Sequence, residues 1–191
     1  MRFLGLIVSL AAVAGCASGG NKSNATVEGK VVTTWDDPKL GIRLTYPGEW
    51  EEVTFMRPKG AVLMLALPHS GGLGKTPPVV AVVAPDSNQA VTSADLDGMQ
   101  QRTIEKAGKE IGEFKLVESK SMTVGGQDAR RIIYTGKKLG LSIQTMYVLT
   151  THAGRPFAFS YLSSPDTFST NLSAVDRMIG SVQFAGASAK K

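Results

Sequence analysis

Cys16 is the only cysteine in the chain, so no intramolecular disulfide can form and no thiolate cluster can hold a metal. Histidine is almost as scarce. His69 and His152 are the only two, and neither has the local ligand spacing that a zinc site requires. No apolar run reaches the roughly 20 residues that a helix needs to cross a bilayer. Charge of one sign never gathers into a block: the net charge of +5 is spread among interspersed acids and bases. That pattern fits a mixed solvated surface and gives no pointer to nucleic acid. No fixed-period repeat or break in composition divides the 191 residues, so one domain with a sizeable core is expected. Hydrophobic content of 42% and charged content of 19% exclude wholesale disorder.

The amino terminus is the most specific signal present. Residues 1 to 16 read MRFLGLIVSLAAVAGC, with Arg2 as a positive start and a short apolar stretch from Phe3 to Val13, the pattern of an export signal. Val13-Ala14-Gly15-Cys16 resembles the lipobox of bacterial lipoproteins. The resemblance implies cleavage before Cys16, acylation of its sulfur and its new amino group, and a mature chain of 176 residues with a net charge of +4 once Arg2 is lost. Several acyl chains hold a protein on a membrane where a single one binds only marginally. Residue 17 is alanine rather than aspartate, which by resemblance to Gram-negative sorting rules favours the outer membrane where one exists. The expected location is therefore a cell membrane or outer membrane, reached by export and held through lipid. The expected organisation is a signal peptide over 1–15, the lipidated cysteine and a flexible polar tether over 16–29, a folded domain over 30–184 and a flexible tail over 185–191.

Within the domain, short strands alternate with turn residues. Lys30 to Trp35, Ile42 to Tyr46, Ala61 to Leu67, Val79 to Ala84, Phe114 to Thr123, Ala129 to Thr135, Leu141 to Thr150 and Pro156 to Ser163 read as strands. The last four are joined by turns at Gly125-Gly126, Gly136 to Gly140 and Ala153-Gly154. Two segments have helical spacing. Thr92 or Ser93 can cap a helix to about Ala107, with Leu96, Met99, Thr103, Ile104 and Ala107 on one face. Ser164 is a good N-cap, Pro165 suits the first helical position, and Phe168, Leu172, Val175 and Ile179 form a stripe that ends at Gly180. Val182 and Phe184 form a last short strand. The fold class that follows is α+β, a central, mostly antiparallel sheet flanked by helices.

Thr45 to Trp50 (TYPGEW), Val124 to Tyr134 (VGGQDARRIIY), Phe157 to Tyr161, the closing helix and Ser181-Val182-Gln183-Phe184 together resemble the PsbP-like superfamily over roughly residues 30 to 184. That group takes in extrinsic photosystem proteins and bacterial lipoproteins of the DcrB and LpqN kind. The resemblance implies an α/β/α sandwich and a non-enzymatic binding or assembly protein. The same residues also have structural explanations: Pro47-Gly48 turns the chain, Trp50 anchors a core, and Arg130 is either a buried ion-pair donor or a surface contact.

The stretch HSGGLGKTPP, residues 69 to 78, looks like a phosphate-binding loop. Such a loop needs glycine six residues before the lysine and a helix directly after it. His69 stands at the first position, and Pro77-Pro78 followed by VVAVVAP allows no helix. It is expected to be an exposed loop between two strands, with Lys75 a candidate partner contact beside Arg130. A hydrolase would have to draw on Ser70, His152 and Asp166, which no nucleophile-elbow sequence supports. A small-ligand or lipid carrier would need a pocket lined by residues such as Met64, Phe157 and Phe159. The favoured expectation is an envelope binding or assembly module with a protein partner, no cofactor and no metal.

Overall fold

The computed structural model describes residues 20–27, 30–55, 57–68, 70, 75–85 and 90–186. The signal segment, Cys16, His69, residues 71–74 and residues 187–191 lie outside them.

Four strands from Gly112 onward form a continuous meander: β7 (Gly112–Val124), β8 (Gln127–Lys138), β9 (Leu141–His152) and β10 (Arg155–Ser163). Each connection is a two-residue turn with both φ angles positive. The pairs are Gly125 at 55° and Gly126 at 78°, Leu139 at 51° and Gly140 at 79°, and Ala153 at 48° and Gly154 at 75°. Such turns match the right-handed twist of the flanking strands, so they close hairpins directly. β10 also pairs with β6 (Val79–Val83), then β5 (Ala61–Ala66) and the two-residue β4 (Glu51–Glu52), giving a seven-stranded, wholly antiparallel sheet.

Period-two alternation puts two apolar faces on this sheet. Ala129, Ile133, Met146, Val148, Phe157, Phe159 and Tyr161 point one way; Ile132, Tyr134, Ile143, Leu149 and Leu162 point the other. Helix α1 (Leu96–Glu110) covers the second set with Met99, Ile104 and Ala107. A 3-10 turn over Ser93–Asp95 leads into it, and the backbone N–H of Thr92 donates to the Asp95 carboxylate at 2.8 Å. Helix α2 (Pro165–Gly180) covers the first set with Phe168, Val175, Met178 and Ile179. Its N-cap is Ser164, as the sequence predicts, and its end is tied to the next layer through Ser181. That hydroxyl accepts from Thr45 N at 2.9 Å and donates to the Met178 carbonyl at 2.7 Å.

The single sheet expected from sequence is accompanied by a second. β2 (Lys30–Asp37) and β3 (Ile42–Pro47) do not join the central sheet. They form a four-stranded sheet with β1 (Asn21–Val27) and β11 (Gln183–Phe184). Trp35, Ile42, Leu44 and Tyr46 project from it into the core shared with α2. The larger difference is β1, which takes up seven residues that read as tether. All seven side chains are exposed, so no hydrophobic pattern announces the strand. The backbone ladder with β2, the hydrogen bond from Thr33 Oγ1 to Asn24 Oδ1 at 2.9 Å and the ion pair of Lys22 with Glu52 hold it.

Two measurements check this packing. At Gly125 a Cβ would lie 2.7 Å from Phe184 Cδ2 and 3.1 Å from the Val182 carbonyl, whereas at Gly126 nothing lies within 4 Å. Denaturant melts should therefore show Gly125→Ala losing about 2–4 kcal/mol, left-handed strain plus overpacking, and Gly126→Ala only about 1 kcal/mol. The second concerns Tyr46, Tyr134, Tyr147 and Tyr161, the four tyrosines of the chain. Burial raises the phenol pKa of all four, and Tyr134 is pushed up to about 12 by desolvation and then by neighbouring Tyr147. The folded state holds these protons longer than the unfolded state does, so the contribution is present below about pH 10 and lost as pH rises above it. Tyrosinate absorbance should stay low past pH 10 in the folded protein and titrate at the ordinary value in denaturant.

Candidate functional site

The residues that a hydrolase would need do not meet. Ser70 Oγ donates to the Leu67 carbonyl at 2.5 Å, and Asp166 is ion-paired to Lys75 at 2.8 Å. His152 stacks on Phe184 with ring centroids 4.6 Å apart, at the start of β10, whereas Asp166 follows its end. Nine residues of strand separate the two regions, about 26 Å. Among the described residues no group of three or more His, Cys, Asp or Glu side chains could hold a metal ion.

A carrier pocket is not formed by the expected residues either. Phe157 and Phe159 are fully buried beneath α2 and the small sheet, while Met64 lies between Leu63 and Leu65, which face that core, and so points to the opposite face of β5. The void beside Phe159, lined by Leu44, Leu63, Leu65, Val80, Val82, Met178 and Ile179, measures about 10 Å³, room for one water at most. A larger groove of about 400 Å³ is open to solvent between the β2–β3 turn and β11. Asp36 and Arg43 on its wall pair with each other at 3.0 Å.

Among the described residues the core beside Phe159 has no room for a ligand, and the two ends of the sheet differ. At one end lie Gly20 against Trp35, the β2–β3 turn, the β7–β8 and β9–β10 turns, and the residues after β11. At the other end lie the β8–β9 turn, the end of β10, the start of α2 and the segment Lys75 to Pro78. Pro77 and Pro78 run directly into β6, so no helix follows Lys75. The Thr76 carbonyl accepts from Ser164 N at 3.0 Å, which pins this loop to the start of α2. Lys75 holds the Asp166 carboxyl below its usual range through its hydrogen bond and charge. That contribution exists above the ordinary carboxylate pKa and disappears as pH falls.

Arg130 sits elsewhere. Its Nε donates to Asp97 Oδ1 of α1 at 2.7 Å and its Nη1 to the Ala129 carbonyl at 3.2 Å, with only 19% of the side chain exposed. Lys75 and Arg130 therefore lie at opposite ends, and Arg130 has an intramolecular role as the clasp of α1. The residue missed from sequence is Leu139. It is 95% exposed and left-handed at the tip of the β8–β9 hairpin, beside Lys137, Lys138 and Leu141. Glycine or asparagine normally occupies such a position; an aliphatic residue inside a lysine- and glycine-rich turn was the available signal.

No family model and no curated protein matches the sequence. Solved structures do match. Cyanobacterial PsbP (CyanoP) from Synechocystis sp. PCC 6803 superposes with a TM-score of 0.56 at 16% identity, covering 92% of this chain and 98% of that one. LpqN of Mycobacterium tuberculosis, described as involved in cell envelope biogenesis, gives 0.55 at 15% identity over 75% of this chain and 83% of its own. A Pseudomonas aeruginosa protein of unknown function, PA94, gives 0.53 at 15% identity over 70% and 95%. The order of strands, the two flanking helices and these likenesses show an α+β fold of the kind seen in PsbP.

Proposed function

We propose that the chain is a lipid-anchored protein of the cell envelope whose PsbP-like domain acts as a non-enzymatic protein-binding or assembly module. The observation that carries this reading is Leu139. A leucine held in left-handed conformation and almost fully in water combines backbone strain with unfavourable solvation. Both have a purpose if the hairpin tip is covered by a partner. The position of the tip agrees. It lies at the end of the sheet away from Gly20, so a chain held at Cys16 would present Leu139, Lys138 and Lys75 outward. The filled core supports binding at the surface over carriage within. LpqN, with the same fold, is described in terms of envelope biogenesis, which suits an envelope role here.

Two experiments test the two halves of the reading. An alkyne fatty-acid analogue fed to expressing cells should label the wild-type protein and leave Cys16→Ala unlabelled; equal labelling of both defeats the anchor. A photo-crosslinking amino acid at position 139 should give discrete adducts in intact cells that are missing when it is placed at position 126, at the other end. Identical adduct patterns from both positions, or none from either, defeat the partner-binding end.

A further inference from the structure

The seven-stranded sheet has unequal edges. One edge is the two-residue β4, and the other is the thirteen-residue β7. Among the described residues nothing pairs with the outer side of β7. At its middle, Leu116 and Val117 are 41% and 53% exposed.

A bulge decides which side chains share a face there. The register against β8 shifts twice, between Gly112 and Lys115, where Glu113 is left-handed, and between Leu116 and Glu118, where Val117 is the extra residue. Lys115 stands opposite Thr135, Glu118 opposite Ile133 and Lys120 opposite Arg131. All three therefore lie on the face that α2 covers. Glu113 joins them through its 2.7 Å ion pair with Lys137. Phe114, which packs against Tyr134, and Ser119, opposite Ile132, lie on the α1 face.

Read outward from the point between Leu116 and Val117, this strand is complementary to an antiparallel copy of itself. Leu116 meets Val117, Lys115 meets Glu118, Phe114 meets Ser119 and Glu113 meets Lys120, with each charged pair on one face. Neighbouring registers fail. One sets Glu113 opposite Glu118 and the other sets Lys115 opposite Lys120, and like charges directly opposed are destabilising.

We propose that β7 is a dimerisation edge, joining two copies of this chain across a two-fold axis between Leu116 and Val117 into one continuous antiparallel sheet. Edge lysines ordinarily repel foreign strands. Here each one finds a carboxylate in a single register, which makes the edge selective for its own copy. In the lone chain Glu118 is held by Lys120 at 3.0 Å and Arg131 at 2.9 Å, while Lys115 has no carboxylate partner among the described residues. Pairing exchanges the more exposed Lys120–Glu118 and Lys137–Glu113 pairs for similar ones, worth little each way, and leaves the less exposed Arg131–Glu118 pair within each chain. The net gain comes from the backbone ladder and from covering Leu116 and Val117. The contact is independent of whatever the Leu139 end binds.

Sedimentation velocity of the full chain in mild detergent, over a concentration series, tests this. The wild type should associate to a dimer. Lys115→Glu and Glu118→Lys should each weaken association by more than about tenfold, because each sets like charges opposite one another. An equimolar mixture of the two should regain it, since every reversed charge then meets its complement. Should Glu118→Lys disturb folding through Arg131, Glu113→Lys mixed with Lys120→Glu makes the same comparison. A chain that stays monomeric throughout, or a dimer indifferent to these reversals, overturns the proposal.

Discussion

Strands β8, β9 and β10 carry large apolar side chains on both faces, and the placement of the other elements follows from the need to cover them. Ile133, Val148 and Phe159 face one way; Ile132, Leu149 and Leu162 face the other. A sheet apolar on both sides must be the middle layer of three. One amphipathic helix suffices over β7–β9, where α1 lies. The opposite face is wider, because β5 and β6 extend it, and α2 alone does not span it. The small sheet fills the remainder with Trp35, Ile42, Leu44 and Tyr46. Burying such side chains fully contributes roughly 2 kcal/mol each, which far exceeds any single polar contact on this surface. The close packing around Phe159 is thus a consequence of the covering problem.

The seams between layers are held by charge. Arg131 reaches Glu118 of β7 and Asp176 of α2, both at 2.9 Å, with 11% of its side chain exposed. Arg130, the next residue and therefore on the other face, reaches Asp97 of α1 at 2.7 Å. Two consecutive arginines on β8 so clasp the two helices from opposite sides, a direct result of the strand's period of two. On the far edge Glu52 of β4 gathers Lys22 of β1 and Arg57, tying the two sheets together. Exposed ion pairs add little to stability. These are partly desolvated, and removing one partner would strand a buried charge, so they set how the layers sit more than how strongly they adhere.

Much of this was legible in the sequence. The three meander turns were marked by glycine, and α2 was marked by Ser164, Pro165 and its stripe. The loop after β5 was excluded as a phosphate cradle by Pro77 and Pro78. What was not legible has physical causes. β1 is held by its backbone and by Lys22, and a strand with seven exposed side chains carries no periodicity to detect. The separation of β2 and β3 from the central sheet depends on packing with α2, information that no local pattern holds. Met64 was misplaced because an unbroken apolar run, Ala61 to Leu67, hides which residues face which layer. The candidate partner residue Arg130 could not be told from a structural clasp without Asp97, thirty-three positions away. Leu139 was visible as an anomaly: a leucine where turn chemistry asks for a residue that tolerates positive φ.

The edges complete the argument that the core begins. A sheet of this size leaves open backbone wherever a strand has no neighbour, and open ladders invite pairing. β4 and β11 limit the invitation by being two residues long, and β1 limits it with polar side chains throughout. β7 is different. It cannot be short, because its thirteen residues are paired along β8, and its inner side chains help seat α1. Its control lies in what the strand displays. The bulge at Val117 breaks the regular spacing that an arbitrary partner strand would need, and the same extra residue brings Lys115 and Glu118 onto one face. The irregularity at Val117 therefore narrows the strands that can pair there and sets Lys115 and Glu118 in the pattern by which a matching one is recognised.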